Sequence, residues 1–258
     1  MRWPQVEVGG VRAVPGEVAA KGGVTRERAF VVGVVGGRGG AGTSTFAAAL
    51  AARFARATAT ALVDLDRAGA GIDVLLALED ADGVRWPDLS AARGEVDGAQ
   101  VLALLPRWGP CAVLSADRQR PTPPEPAVVA DVLHALTGVC GVLVLDLDRS
   151  GVVAGESVAA ACDALVVVAP RDLRTVAGVL ALRPQLVGHG ALTGLVAGGP
   201  APGGLGADEL ALAVDLRLLG RLPVDRRTAA ATERGGLPLT GGVARTAARV
   251  ARELLAAA

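Results

Sequence analysis

This 258-residue sequence contains very few lysine and aromatic residues. Lys21 is the only lysine, tyrosine is absent, and aromatic residues make up 2% of the chain. A catalytic lysine elsewhere in the chain is therefore excluded. Apolar residues account for 51% and are chiefly alanine, valine and leucine, a composition that suits helices packed on a parallel sheet.

Three further absences exclude broad classes of function. The formal net charge is zero with a pI near 6.7, so the chain as a whole has no basic excess for nucleic acid or anionic lipid. Cys111, Cys140 and Cys162 form no C-x-x-C pair, which favours buried free thiols over a metal or disulfide role. There is no apolar leader and no run of membrane-spanning length, so we expect a cytoplasmic protein.

The remaining pattern is an alternation of short apolar runs with helical segments. It predicts a single α/β domain over residues 29–258, a doubly wound, mostly parallel sheet with helices on both faces. Residues 1–28 are expected to be a flexible tail or the remnant of a linker. The predicted strands are 30–35, 61–65, 111–115, 142–147, 164–169 and 192–197, and the clearest predicted helices are 44–57, 126–136, 173–186, 207–214 and 243–257.

A glycine-rich segment, "GRGGAGTS", begins at Gly37 between the first strand and the first helix. It fits the phosphate-loop pattern G-x-x-x-x-G-K-[ST] except that Thr43 replaces the lysine. The glycines allow the backbone amides to curl around an anion, and the helix that follows adds its N-terminal amides. Ser44 occupies the position of the hydroxyl that binds Mg²⁺. The alternative is an ordinary glycine-rich turn between a strand and a helix.

Acidic residues end two of the predicted strands. Asp64 and Asp66 close "ALVDLD", and Asp146 follows four apolar residues in "VLVLDLD", as a Mg²⁺-associated Walker B aspartate does. Polar residues are common at strand ends, so each one alone is weak evidence. Together with the loop they converge on the edge where α/β sheets bind ligands.

These motifs resemble the MinD/ParA class of P-loop ATPases, whose deviant Walker A motif is K-G-G-x-G-K-[ST]. Arg38 overlays the signature lysine of that family, which reaches across a dimer to the partner's nucleotide. Asp66 overlays the switch I aspartate that positions the attacking water. The resemblance thus implies catalytic roles for Asp66 and Arg38; the alternative for Arg38 is a solvated loop arginine.

The resemblance also implies ATP and Mg²⁺ as cofactors and a homodimer in the nucleotide-bound state. Mg²⁺ would be held, partly through water, by Ser44, Asp66 and Asp146. The implied nucleotide contacts are Gly37, Arg38, Gly39, Gly40, Ala41, Gly42, Thr43, Ser44, Thr45 and Pro223.

More narrowly, "VVGGRGGAGTST", "GVRWPDLSAARGEVD", "CAVLSADR" and "GGPAPGGL" resemble actinobacterial CpaE-like, or septum site-determining, proteins. That resemblance implies partners in cell division or in the Tad pilus and secretion machinery, and recruitment to the septum, the pole or the inner membrane face. No specific nucleic-acid partner is expected. The C-terminal helix has a small apolar face without Trp or Phe, which favours packing on the sheet over direct membrane binding.

Two departures from the family pattern limit the expected chemistry. Thr43 removes a charged phosphate contact, and Gly198 or Gly199 stands where the family usually has an adenine-reading asparagine. Two functions remain open: a degenerate ATP-binding regulator with very slow or no hydrolysis, and a slow ATPase that uses Arg38 in trans and Asp66. A glutaminase-coupled synthetase would need a Cys/His domain, which the sequence does not supply.

Overall fold

The computed structural model describes residues 28–66, 71–187 and 191–258. Most of the predicted N-terminal tail, residues 1–27, lies outside this description. The described strands are β1 (Phe30–Gly36), β2 (Thr60–Leu65), β3 (Arg107–Trp108), β4 (Cys111–Leu114), β5 (Val142–Leu147), β6 (Ala164–Pro170), β7 (Leu192–Gly198) and β8 (Arg217–Arg221). The described helices are α1 (Thr43–Phe54), α2 (Ile72–Leu76), α3 (Gly98–Leu104), α4 (Pro126–Thr137), α5 (Arg149–Ala154), α6 (Leu173–Leu186), α7 (Ala207–Val214), α8 (Arg226–Gly235) and α9 (Gly242–Ala256).

The strands form one sheet in the order β3-β4-β2-β5-β1-β6-β7-β8. All neighbouring pairs are parallel except β3 and β4, which form an antiparallel edge. The predicted doubly wound, mostly parallel sheet is therefore confirmed. β3 has only two residues, too few to produce a periodic pattern, so the sequence did not predict it.

Apolar layers cover both faces of the sheet. One cluster packs α4, α6 and α7 against it through residues such as Leu133, Leu182 and Leu210. The other packs α1 and α9 through Leu50, Val250 and their neighbours. Every residue of β1 and β6 is buried, as expected for central parallel strands.

The C-terminal helix α9 lies against α1 and β8. Its apolar stripe, which includes Ala247, Val250 and Leu254, is buried in the protein. This is the packing that the sequence favoured over a membrane role for this stripe. Within the described ranges, we find no helix that combines the length and apolar character needed to cross a bilayer.

The glycine-rich loop after β1 approaches α6 closely, and glycines on both sides allow this. A Cβ at Gly178 in α6 would lie 1.9 Å from the carbonyl oxygen of Gly37. A Cβ at Gly37 would lie 2.8 Å from Cγ2 of Val179. The backbone of the loop therefore rests directly on the backbone of this helix.

Gly178→Ala tests this contact. The added methyl group must displace the loop, so we expect a loss of about 1–3 kcal/mol in the free energy of unfolding, measured with urea. Gly138→Ala at the end of α4 is the matched control, because its Cβ would meet only the Ala135 carbonyl at 3.5 Å. Equal stability of the two variants would contradict the close approach.

Candidate functional site

The loop between β1 and α1 has the backbone geometry of an anion cradle. Gly40 and Gly42 adopt φ values of 67° and 86°, in the left-handed region that glycine tolerates best. Gly42 is also the N-cap residue of α1 and carries no side chain that could cap the helix. The first amides of this 12-residue helix are therefore free to bind an anion.

A cavity of about 1010 Å³ opens in front of the loop. It is large enough for a nucleotide. Residues from five segments meet around it, since the carboxyl ends of neighbouring parallel strands share one edge of the sheet. Its lining includes the predicted residues Arg38, Gly39, Gly40, Ala41, Gly42, Thr43, Ser44, Thr45, Asp66 and Asp146.

Asp146 is a buried carboxylate with an oxygen available to bind a metal ion. It lines the cavity together with Ser44, and its Oδ2 is buried and has no hydrogen-bond partner among the described residues. Burial raises the pKa of Asp146 to about 7; the nearby Ser44 hydroxyl opposes this shift, and the charges of Asp64 and Asp66 add to it. An unsatisfied, buried acceptor of this kind is suited to a cation.

Asp64 pairs with Asp146 across β2 and β5 but has a different role. Its Oδ1 accepts a hydrogen bond from the Asp66 amide at 3.0 Å, and its Oδ2 accepts one from the Ile72 amide at 2.9 Å. The indole Nε1 of Trp86 donates to the Asp64 carbonyl at 2.6 Å. Burial raises the pKa of Asp64 to about 6, although these amides oppose the shift. Asp64 therefore holds the backbone after β2 in place.

The donor set fits Mg²⁺ in a nucleotide complex. The described residues contain no group of three or more His, Cys, Asp or Glu side chains that could enclose a metal by themselves. Mg²⁺ does not need such a cage, because it usually keeps several waters and takes other ligands from substrate phosphates. Ser44 and the free Oδ2 of Asp146 would supply the protein side, with Asp66 lining the same cavity.

Arg38 forms an ion pair and a hydrogen bond within its own chain. Its Nε donates to Oδ2 of Asp172 at 3.0 Å and its Nη2 lies 2.9 Å from the same oxygen, while its Nη1 donates to the Gly39 carbonyl at 2.9 Å. Asp172 is also the N-cap of α6, where it accepts from the Thr175 amide. A role in trans would require this ion pair to break first.

Thr43 and Pro223 differ in their relation to the cavity. Thr43 begins α1 inside it, and its Oγ1 lies 2.5 Å from the position of a Cβ on Gly36, so the hydroxyl faces back towards β1. Pro223 lines a different cavity, together with Arg171, Arg221 and Arg245. The structure therefore does not bring Pro223 to the loop cavity, and its nucleotide contact stays a prediction.

Sequence reasoning missed two arginines of the loop cavity, Arg149 and Arg234. Arg149 is the first residue of α5, one position after Asp148, whose side chain caps that helix. The signal was present, since residues that directly follow a buried parallel strand lie at the ligand-binding edge. Arg234 is on α8, a helix absent from the clearest predicted ones.

Comparison with known proteins places this geometry in a known fold. No family model matches the chain. The ParA family ATPase of Chlorobium tepidum superposes with a TM-score of 0.73 at 17% identity, covering 88% of this chain and 99% of that one. MinD of Pyrococcus furiosus gives 0.73 at 18% identity, with coverages of 89% and 99%. The fold is that of the MinD and ParA P-loop ATPases.

Further similarities extend this result. MinD of Pyrococcus horikoshii, solved with Mg-ADP, has a TM-score of 0.71 at 16% identity and covers 88% of this chain and 96% of its own. Two curated relatives from Mycobacterium tuberculosis strains, the uncharacterized proteins MT3760 and Rv3660c, are each 40% identical over 213 residues. These matches cover 81% of this chain but span only 59% of the length of each relative.

The raised pKa of Asp146 predicts how stability depends on pH. Burial raises the pKa of Asp146 to about 7 in the folded protein, so this carboxyl holds a proton at pH values where it is already ionised in the unfolded chain. The free energy of unfolding without ligand should therefore fall as the pH rises from about 4 to 7. Asp146→Asn removes this cost, so its stability relative to wild type should be about 1–3 kcal/mol greater at pH 8 than at pH 5.

Urea unfolding at the two pH values, without Mg²⁺ or nucleotide, measures this difference. The exposed Asp82→Asn is the control and should change stability little at either pH. A stability gain for Asp146→Asn that is the same at pH 5 and pH 8 would contradict the assignment.

Proposed function

We propose that the chain is a degenerate MinD/ParA-type ATP-binding regulator of the CpaE-like, septum site-determining branch. It would help to place the division septum or the Tad pilus and secretion machinery. The observation that carries the proposal is an uncapped helix N-terminus beside the cavity carboxylates Asp66 and Asp146, after a loop whose lysine position is Thr43. Nucleotide would then act as a conformational ligand that selects which partner is bound.

The energetics favour weak binding and slow or absent hydrolysis. A hydrogen bond to a charged group contributes about 1.5–3 kcal/mol, so the missing lysine costs about 10- to 150-fold in affinity. The cradle, Ser44 and Mg²⁺ would retain part of the binding energy. Charge that develops on the γ-phosphate in the transition state loses a stabilising cation, which affects rate more than binding.

The branch rests on the sequence segments quoted above, while the names of two structural neighbours are in line with a role in cell division. One structural relative was solved as a MinC:MinD cell division complex from Aquifex aeolicus, and another is described as septum site-determining. For this chain we infer a homodimer in the nucleotide-bound state, protein partners in division or secretion, and recruitment from the cytoplasm to the septum, the pole or the inner membrane face.

The second candidate is a slow ATPase that uses Asp66 and, in trans, Arg38. It is favoured by the position of Arg38 on the lining of the cavity, where its side chain keeps 36% exposure and Asp172 is the carboxylate that pairs with it among the described residues. A second copy that offered a nucleotide phosphate would compete with Asp172 for the guanidinium. An arginine of this kind raises rates by about 10³–10⁵ where it is competent.

Thr43→Lys tests the proposal. The lysine restores the missing contact, and we expect ATP to bind about 10- to 150-fold more tightly than in wild type. Calorimetric titration with and without Mg²⁺ measures the change. Gly42→Val is the matched negative variant, since a branched side chain at φ 86° both strains the loop and crowds the phosphate. Unchanged binding in Gly42→Val would place the nucleotide elsewhere.

Asp172→Asn separates the two candidates. The amide can still cap α6, but it no longer holds Arg38 by charge. For a regulator without turnover, we expect phosphate release to stay at the no-enzyme rate in wild type, Asp172→Asn and Arg38→Ala. Turnover that increases in Asp172→Asn and disappears in Arg38→Ala would instead establish the ATPase with Arg38 in trans.

A further inference from the structure

The loop cavity contains more acidic than basic side chains. Among the described residues that line it, six carboxylates face three arginines, Arg38, Arg149 and Arg234. A nucleotide that carries several negative charges needs cations in such a cavity. Mg²⁺ would offset part of the repulsion between the nucleotide and the carboxylates. One of the arginines would have to offset part of the remainder.

The three arginines are not equally available. Arg38 is neutralised by the ion pair with Asp172. Arg234 is exposed on α8, where water weakens any interaction with an anion. Arg149 is half-buried and forms no ion pair within the described part of the chain, so its charge is not offset by a neighbouring carboxylate at contact distance.

Arg149 is anchored at the base of the loop. Its Nε donates to the Gly37 carbonyl and its Nη2 to the Gly178 carbonyl, both at 3.3 Å. These bonds join α5, the loop and α6 at the point where the two glycines touch. Both are longer than a usual N–H···O bond, so the guanidinium can exchange one of them for a stronger acceptor at small cost.

We propose that Arg149 supplies the phosphate-binding charge that the loop lacks at Thr43. The proposal rests on the proposed function, namely that this cavity holds ATP. A guanidinium is suited to the task because its planar fork of donors matches the oxygens of a phosphate. The cation would thus come from the helix after β5 instead of from the loop itself.

A purely structural role for Arg149 makes a different prediction. If it only clamps the loop to α6, its removal should disturb the loop whether or not a lysine is present at position 43. If it supplies charge, a lysine at position 43 should make it dispensable. The two roles therefore differ in the coupling between these positions, which a double-mutant cycle measures.

The experiment is a calorimetric titration of Mg-ATP into wild type, Arg149→Ala, Thr43→Lys and the double variant. We expect Arg149→Ala to bind about 10- to 100-fold more weakly than wild type. In the Thr43→Lys background we expect the same change to cost several-fold less than it does in wild type. Arg149→Lys, which keeps the charge, should retain most of the wild-type affinity.

Arg107→Ala is the matched control. Arg107 also donates to a backbone carbonyl, that of Pro110 at 3.3 Å, but it lies on β3 and does not line the loop cavity. The affinity of the Arg107→Ala variant for Mg-ATP should equal that of wild type. Thermal unfolding of each variant confirms that the protein titrated is folded.

The outcomes separate failure of this inference from failure of the proposed function. If wild type binds Mg-ATP and Arg149→Ala binds it equally well, the inference alone is wrong. It is also wrong if the loss is as large in the Thr43→Lys background, because Arg149 would then act as a clamp, or if Arg149→Lys is as weak as Arg149→Ala. If wild type binds no Mg-ATP at all, the proposed function fails and this inference fails with it.

Discussion

The parallel pairing of β1 with β5 on one side and β6 on the other determines the rest of the site. Because β1 is central and all three strands run in the same direction, their carboxyl ends meet at one edge. The loop after β1, Asp146 on β5 and Asp172 after β6 are thereby brought together. The strands are buried on both faces, so this edge is held by the core of the protein.

The contact between Gly37 and Gly178 adds a second constraint. It lowers the loop onto α6, and in that position Arg149 reaches the carbonyls of both glycines while Arg38 reaches Asp172. The cavity therefore has backbone amides and a buried carboxylate acceptor, as a phosphate loop with a lysine would. Its positive charge, however, comes from arginines outside position 43. We propose that such an arrangement binds a phosphate without hydrolysing it efficiently, since the transition state requires more cationic stabilisation than the ground state.

The sequence predicted the parts of the fold that have strong local patterns. Long apolar runs such as 142–147 and 164–169 identified buried strands, while β3, with two residues, carried no period to detect. The loop and the strand-end aspartates were also predictable, but the different roles of Asp64 and Asp146 were not. Only the structure shows that both carboxylate oxygens of Asp64 accept from the Asp66 and Ile72 amides, while Oδ2 of Asp146 has no partner in the described part of the chain. The pairing of Arg38 with Asp172, 134 positions apart, likewise depends on tertiary structure.

The central claim is that this cavity binds Mg-ATP without turning it over efficiently. The most direct measurement is to follow equilibrium binding of Mg-ATP and release of phosphate on one sample of the wild-type protein. We expect ATP to bind saturably and to require Mg²⁺ for full affinity, with phosphate release at the rate of the control without protein. Phosphate release at a rate typical of working MinD or ParA ATPases, or no binding at millimolar Mg-ATP, would contradict it.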